Sequence, residues 1–296
     1  MDVQRVVVTG AGSGVGNGIV KALRLAKSPP RIIATDISAL NAGLYRSNES
    51  RIWPKVEDEG ALETILDELS SLQAVAILIG SEYELDFFAR NRNRIEADTG
   101  TKVIVSPPEL VATANDKWNT FTCLKDLGLP HPETALPSTT DEAVDDAETI
   151  GWPVIVKPRR GTAARGVHRV SNADELKSVF RPGTGQIVQQ LLGQGDGRLG
   201  DEFTCSVFRL SNGDLLGPIT ARRSMRGGDS WTVEVDRFED LYPLMLKVGK
   251  KLPAVGPLNV QMVRTDKGPV PFEINARFSG TTAIRAHYGF NEQDLA

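Results

Sequence analysis

The chain has 296 residues, 40% of them apolar and 24% charged, with a formal net charge of −4. That length accommodates two or three domains with cores of their own, and the composition is that of a globular protein. The charge excludes the global basic field that holds nucleic acid, and no apolar run approaches membrane-spanning length. Cys123 and Cys205 lie far apart, and His131, His168 and His287 are scattered. Neither a disulfide framework nor a zinc signature follows, so a reducing cytoplasm is the default expectation.

The first strand is expected at residues 6–8, which leaves no room for a secretion signal before it. Helix is expected over 18–25, strand over 31–36, helix over 63–69, strand over 74–79, helix over 85–95 and a short strand over 103–105. This alternation is the pattern of an α/β, doubly wound parallel sheet, and Ser106-Pro107-Pro108 marks its end. The turn Thr9-Gly10-Ala11-Gly12-Ser13-Gly14-Val15-Gly16 follows a strand and opens a helix, with Asp36 about twenty residues on. A NAD(P)-binding oxidoreductase is therefore the rival reading. No Tyr has Lys four positions later, however, and a strand-to-helix turn needs glycines merely to pack.

A helix is expected over 116–127, with Asn115 as N-cap and Gly128 and Pro130 as its stop. Lys117 lies just inside its N-terminus and by itself reads as a solvated residue. Residues 131–136 read as extended and 140–149 as helix. A strand over 152–157 enters a loop over 158–166 that carries Arg159, Arg160, Gly161, Thr162, Arg165 and Gly166. A strand over 167–170 makes that loop a hairpin tip. Such a loop can lay backbone N–H groups on phosphates; the bland alternative is an exposed basic hairpin. Helix follows over 173–180 and strand over 186–192, ending in Gln189-Gln190-Leu191-Leu192. Its backbone could bond an adenine edge, and Glu202, beyond a Gly-rich insertion over 193–200, could accept from ribose hydroxyls.

From Glu202 the pattern is antiparallel, or α+β. A hairpin is expected over 203–210 and 215–223, turning at Asn212-Gly213, then helix over 238–252. A last hairpin over 259–265 and 269–275 turns at 265–268. In a strand alternate residues share a face, so Glu273 and Asn275 project together, with Arg277 next and Gln261 on the neighbouring strand. A carboxylate and two amide oxygens suit Mg²⁺ (or Mn²⁺), which binds phosphate oxygens as well. Arg222, Arg223 and Arg226 form a second basic cluster that suits a small anion. The end, 291–296, reads as the start of a further helix, so the expectation is a piece that lacks a C-terminal region.

Lys117, the strand Val154-Ile155-Val156-Lys157 with its loop, Gln189–Leu192, Glu202, Gln261, Glu273 and Asn275 occur in the order of the ATP-grasp fold. The chain resembles ATP-grasp enzymes, most of all one half of a carbamoyl-phosphate synthase large subunit. The resemblance implies a Rossmann-like pre-ATP-grasp domain over 1–108, a small lid subdomain over 109–190 and a catalytic subdomain over 191–296, the last two being α+β. It implies a carbon–nitrogen ligase that uses ATP and Mg²⁺ to activate a carboxylate as an acyl-phosphate for an amine. Phosphorylation of bicarbonate or carbamate is the narrower alternative, and a nucleotide sensor without turnover a further one. The partners implied are small carboxylate and amine substrates, with no nucleic acid and no membrane, and a homodimer because this fold often pairs. Carried over residue by residue, Lys117, Lys157, Gly161, Thr162 and Gly166 would hold phosphates. Gln189, Gln190 and Leu192 would hold adenine, and Glu202 the ribose. Gln261, Glu273 and Asn275 would ligate the metal, and Arg277 with Arg222 or Arg223 would steady the transferred phosphoryl group. The sequence departs from the family at Gln189-Gln190, where glutamates are common, and in the arginine-rich, glycine-poor loop.

Overall fold

A computed structural model describes residues 3–161, 165–193, 199–227 and 229–294. Strands β1 (Arg5–Val8), β2 (Arg31–Asp36), β3 (Glu49–Ile52), β4 (Ala76–Leu78) and β5 (Lys102–Ile104) form a parallel sheet in the order β3-β2-β1-β4-β5. Its inner strands β1, β2 and β4 are short, largely apolar runs buried on both faces, as helices on either side require. Val7, Ile33, Ile77 and Val103 pack under α2 (Ala61–Leu72) and α3 (Leu85–Thr99). Val6, Val8, Ile32 and Leu78 face α1 (Gly14–Leu23), and Phe278 from the far end of the chain joins that cluster.

At Gly10, Gly12 and Gly16 the glycine-rich turn is filled by the chain itself, whereas Gly14 has open space beside it. A Cβ on Gly16 would stand 2.2 Å from the Gly10 carbonyl oxygen, and one on Gly43 would stand 1.8 Å from that of Ala11. The Asp36 carboxylate accepts from the Gly12 amide at 2.7 Å, from the Ser38 amide and from Asn41. Ser13 caps α1 by accepting from the Gly16 amide at 2.9 Å and donates to the Gly80 carbonyl at 2.7 Å. Packing and capping thus account for these residues. Beside them Thr9 donates to Glu84 at 2.6 Å, and burial pushes the Glu84 carboxyl up to about 7.

The second sheet is antiparallel, with β6 (Thr134–Ala135), β9 (Gln186–Gln190), β7 (Val154–Pro158) and β8 (His168–Val170) in that order, covered by α6 (Thr140–Ile150) and α7 (Ala173–Val179). The third, also antiparallel, runs β12 (Asp229–Val235), β11 (Leu215–Arg226), β10 (Glu202–Arg209), β13 (Gly256–Thr265), β14 (Gly268–Asn275). One face buries Phe203, Cys205, Val260, Met262 and Ile274 against α8 (Tyr242–Lys251) and against Leu110 and Leu124 of α4 (Pro108–Ala114) and α5 (Lys117–Asp126). The other face is polar.

Several expectations are corrected. Pro107-Pro108 closes the parallel sheet but also opens α4, because proline at the first helical position loses no hydrogen bond. Asn115 is the C-cap of α4; the N-cap of α5 is Asp116, whose carboxylate accepts from the Trp118 and Asn119 amides at 3.0 and 3.2 Å. Strands β3 and β12 are additions at sheet edges: β3 has no apolar face to announce it, whereas β12 alternates Trp231, Val233 and Val235 with polar residues, a strand signal the sequence does carry. Residues 238–252 divide into a short 3-10 turn and α8. Residues 291–294 form a turn, with the Asp294 amide on the Asn291 carbonyl at 3.1 Å, and the rest of the segment expected to begin a helix, 295–296, lies outside the described residues. No described helix is long and apolar enough to cross a membrane.

Candidate functional site

The polar face of the third sheet, the second sheet and the ends of β1 and β4 enclose a cavity of about 980 Å³. Lys117, Lys157, Gly161, Gln189, Gln190, Leu192, Glu202, Arg223, Gln261, Glu273, Asn275 and Arg277 all line it. Because β10 lies between β11 and β13, Arg223 and Gln261 come to one face beside Glu202. Gln261 stands opposite Glu273, and Asn259 opposite Asn275. A bulge gives β14 one extra residue beside Gln261 and Met262, so Phe272 reaches the cavity along with Glu273.

Lys157 is buried, and its Nζ donates to Gln189 Oε1 at 2.7 Å. Gln189 Nε2 in turn donates to Thr134 Oγ1 at 2.8 Å. Gln189 is therefore the orienting partner of Lys157, fixed at both ends, rather than a free adenine contact. Burial, with Lys117 beside it, pulls the Lys157 ammonium down to about 8, and Glu273 opposes that shift. Lys117 Nζ donates to the Gly161 carbonyl at 2.8 Å, and its amide to the Arg159 carbonyl at 2.9 Å. The N-terminus of α5 is thus tied to the stem of the loop after β7.

Asp116 holds the same stem. Its carboxylate is fully buried and accepts from Arg159 Nε at 2.7 Å and Arg160 Nε at 3.2 Å. Burial alone would raise its pKa, but hydrogen bonds from Arg159, the Asn119 amide and Arg160 outweigh it and hold the carboxyl below its ordinary value. Arg159 is occupied in this clamp, with Nη2 on Asn119 Oδ1 at 3.1 Å, and is not a free phosphate contact. Thr162 and part of the loop tip lie outside the described residues, as does most of the insertion 193–200. Gly166 is off the cavity wall, with Arg165 and Val167 on it instead.

At the other end Arg223 Nη2 donates to Glu202 Oε1 and to Gln261 Oε1, each at 2.6 Å. Arg222 points to the opposite face, pairs with Glu234 at 2.6 Å and lies over the Phe238 ring. Strand alternation separates the two, so Arg223 belongs to the cavity and Arg222 does not. The Gln190 amide donates to the Glu133 carbonyl at 2.8 Å, and its side-chain oxygen accepts from the Glu133 amide at 3.2 Å, so both are taken by the chain beside β9.

The metal-ligand expectation is sharpened. Asn275 Nδ2 donates to Glu273 Oε1 at 3.0 Å, which turns the Asn275 carbonyl away from that carboxylate. Gln261 presents its oxygen to Arg223. Glu202 and Glu82 also line the cavity, but each pairs with an arginine, Glu202 with Arg223 and Glu82 with Arg277 at 3.2 Å. Glu273 is the carboxylate of the described wall without an arginine partner. No group of three His, Cys, Asp or Glu side chains suited to a metal occurs among the described residues. This donor set fits a divalent ion shared with phosphate oxygens, not one caged by protein alone.

Sequence reasoning missed Glu82, Phe272, Asn259 and Ser81. Glu82 follows β4, and its carboxylate reaches Arg277 across 195 positions, a pairing with no local signal. Asn259 precedes Gln261 by two, so strand alternation alone could have found it.

A family model described as an ATP-grasp domain matches residues 114–281. A carbamoyl phosphate synthase large chain of Gemmatimonas aurantiaca is 24% identical over 306 residues, which cover 94% of this chain and 26% of that one. The chain therefore spans about a quarter of that curated relative's length. Among solved structures, N5-carboxyaminoimidazole synthetase from Staphylococcus aureus complexed with ADP superposes with a TM-score of 0.75 at 16% identity, covering 100% of this chain and 76% of that one. L-amino acid ligase from Bacillus licheniformis gives 0.71 at 18%, covering 100% and 73%. These structural likenesses show a shared fold.

Proposed function

Because the chain belongs to the ATP-grasp domain family, we propose that its cavity binds ATP with Mg²⁺ and phosphorylates a carboxylate, giving an acyl-phosphate that an amine then attacks. The observation that carries this reading is the convergence of Lys117 and Lys157 with Glu273 and Asn275 on one cavity. Residues 1–108 would form the leading domain, 109–190 the lid and 191–296 the catalytic subdomain.

Ile155, Leu192, Val263 and Phe272 supply an apolar slot for adenine, edged by Gln190 and Leu192. Glu202 would accept from ribose hydroxyls. Lys117, Lys157 and the loop from Gly161 would hold the phosphates, with Arg165 adding charge. Glu273 and Asn275 would hold Mg²⁺, and Gln261 once its oxygen leaves Arg223. When bound, the ion spreads the charge that develops on the transferred phosphoryl group. Arg277, two residues beyond Asn275, and Arg223, bonded to Gln261, also line the cavity and would neutralise the acyl-phosphate. No covalent nucleophile is required; orientation and charge do the work.

The similarity to a carbamoyl phosphate synthase favours bicarbonate or carbamate as the phosphorylated acid. Two measurements test the proposal. Mg²⁺·ATP should raise the melting temperature of the purified protein, and absence of stabilisation overturns the reading. ADP release across amino acids, small carboxylates and bicarbonate then names the acid. Bicarbonate-dependent turnover supports the narrower reading, and strict dependence on an amino acid removes it.

Lys157 makes nucleotide binding pH-dependent. With its pKa at about 8 in the free protein, the ammonium loses its proton within the working range. Phosphates favour the charged form, so Mg²⁺·ATP affinity should fall roughly tenfold between pH 7 and pH 9. Calorimetric titration at the two pH values measures this, and Lys157→Arg should flatten the dependence. The sign for stability is opposite. The unfolded chain binds the proton more tightly than the folded one, so this group adds stability as pH rises from about 8.

A further inference from the structure

Against the polar face of the third sheet lies an ion pair that the proposed chemistry does not use. Arg285 of α9 (Thr282–His287) is 1% exposed and Glu292 is 0% exposed. Arg285 Nη1 meets Glu292 Oε1 at 3.2 Å, and Glu292 also accepts from the Ser206 and Thr282 hydroxyls. A pair taken this far out of water adds little stability over apolar residues of the same volume, so another use is indicated. The second arm of the guanidinium shows one. Nη2 donates to Asn259 Oδ1 and, at 3.2 Å, to Thr204 Oγ1, whose hydroxyl donates to the same Asn259 oxygen at 2.8 Å.

Asn259 is 2% exposed, lines the cavity and stands opposite Asn275. An arginine has no acceptor, so only the oxygen of the amide can face it. Asn259 Nδ2 is then the polar atom left for the cavity. We infer that Asn259 is an anion donor, not a third amide ligand of the metal, and that Arg285, held by Glu292, is the positioning residue that fixes this orientation. Its ligand is a phosphoryl or acyl-phosphate oxygen, beside Asn275 and toward Arg277. Because the C-terminal turn carries Glu292, that turn and α9 set the donor side of the site. The inference rests on the nucleotide reading above.

The test uses the full chain with two probes, Mn²⁺·ADP and inorganic phosphate added to protein already carrying Mg²⁺·ADP. Asn259→Asp preserves shape and a partner for Arg285 but removes the donor. It should weaken phosphate at least tenfold while Mn²⁺·ADP affinity stays within about twofold. In Arg285→Met/Glu292→Gln the asparagine is intact but keeps only the Thr204 hydroxyl, which can donate or accept and so does not select one orientation, and no lone charge is buried. It should weaken phosphate about fivefold or more, again with Mn²⁺·ADP unchanged. A merely structural pair would lower the melting temperature and leave the ratio of the two affinities as in wild type, which overturns the positioning role. A large change in Mn²⁺·ADP affinity with phosphate unaffected makes Asn259 a metal ligand and also overturns the inference, as does wild-type protein that binds Mn²⁺·ADP but no phosphate. Failure of wild type to bind Mn²⁺·ADP is the separate result that removes the nucleotide reading, and this inference with it.

Discussion

Replacing Glu273 with glutamine is expected to lower Mg²⁺-dependent ATP turnover by about 10²- to 10³-fold while leaving the protein folded, a loss comparable to removal of one strong transition-state stabiliser. Glu273 lines the cavity, and Lys157 feels its charge. It is the described cavity carboxylate that no arginine neutralises, since Glu82 and Glu202 are paired with Arg277 and Arg223. Glutamine keeps the shape and the oxygen that accepts from Asn275 Nδ2, now at 3.0 Å. What goes is the negative charge that a divalent ion needs when phosphates and the amides of Asn275 and Gln261 supply its other ligands. ADP release measured against Mg²⁺ concentration, beside a melting curve, checks this. Turnover within threefold of wild type at saturating Mg²⁺ would place the metal elsewhere, and a collapsed melting curve would assign Glu273 to the fold.

Asp116→Ala is expected to destabilise the protein by about 3 kcal/mol, combining the loss of an N-cap with that of buried charge-assisted hydrogen bonds. The upper end of the usual range for a broken buried ion pair does not apply. The Arg159 and Arg160 side chains are 33% and 77% exposed and can recover water when the acid is gone. The same change frees the stem of the loop after β7, so Mg²⁺·ATP affinity should fall with stability. Urea unfolding with and without nucleotide measures both. The pH dependence follows from the sign of the shift. A carboxyl held below its ordinary 3.8 contributes stability above that pH and loses it as pH falls through the lowered value. Asp116→Ala should therefore flatten the acid limb of the stability curve, and an unchanged acid limb would contradict the clamp.

The sequence determined the elements whose signals are local. The apolar runs of β1, β2 and β4 and the glycine turn read directly as a parallel sheet, because hydrophobic burial on both faces leaves no other use for such runs. The two-residue turn between β13 and β14 sets their register as far as Met262, and alternation puts Glu273 and Asn275 on one face, but it is the bulge that brings Gln261 opposite Glu273. The same rule could have separated Arg222 from Arg223, since adjacent strand residues face opposite ways. Edge strand β3 left no apolar pattern, whereas edge strand β12 alternates Trp231, Val233 and Val235 with polar residues and was legible as a half-exposed strand. Tertiary structure alone decided the partners. Glu82 on Arg277, Asp116 on Arg159, Gln189 on Lys157 and Arg285 on Asn259 join residues 195, 43, 32 and 26 positions apart. A side chain's charge and hydrogen-bonding capacity are written in its identity, but which group answers it depends on where sheets and helices stack. Hence the types of group in this cavity were legible in the chain, whereas their orientation and pairing, and with them the pKa of Lys157, were set by the fold.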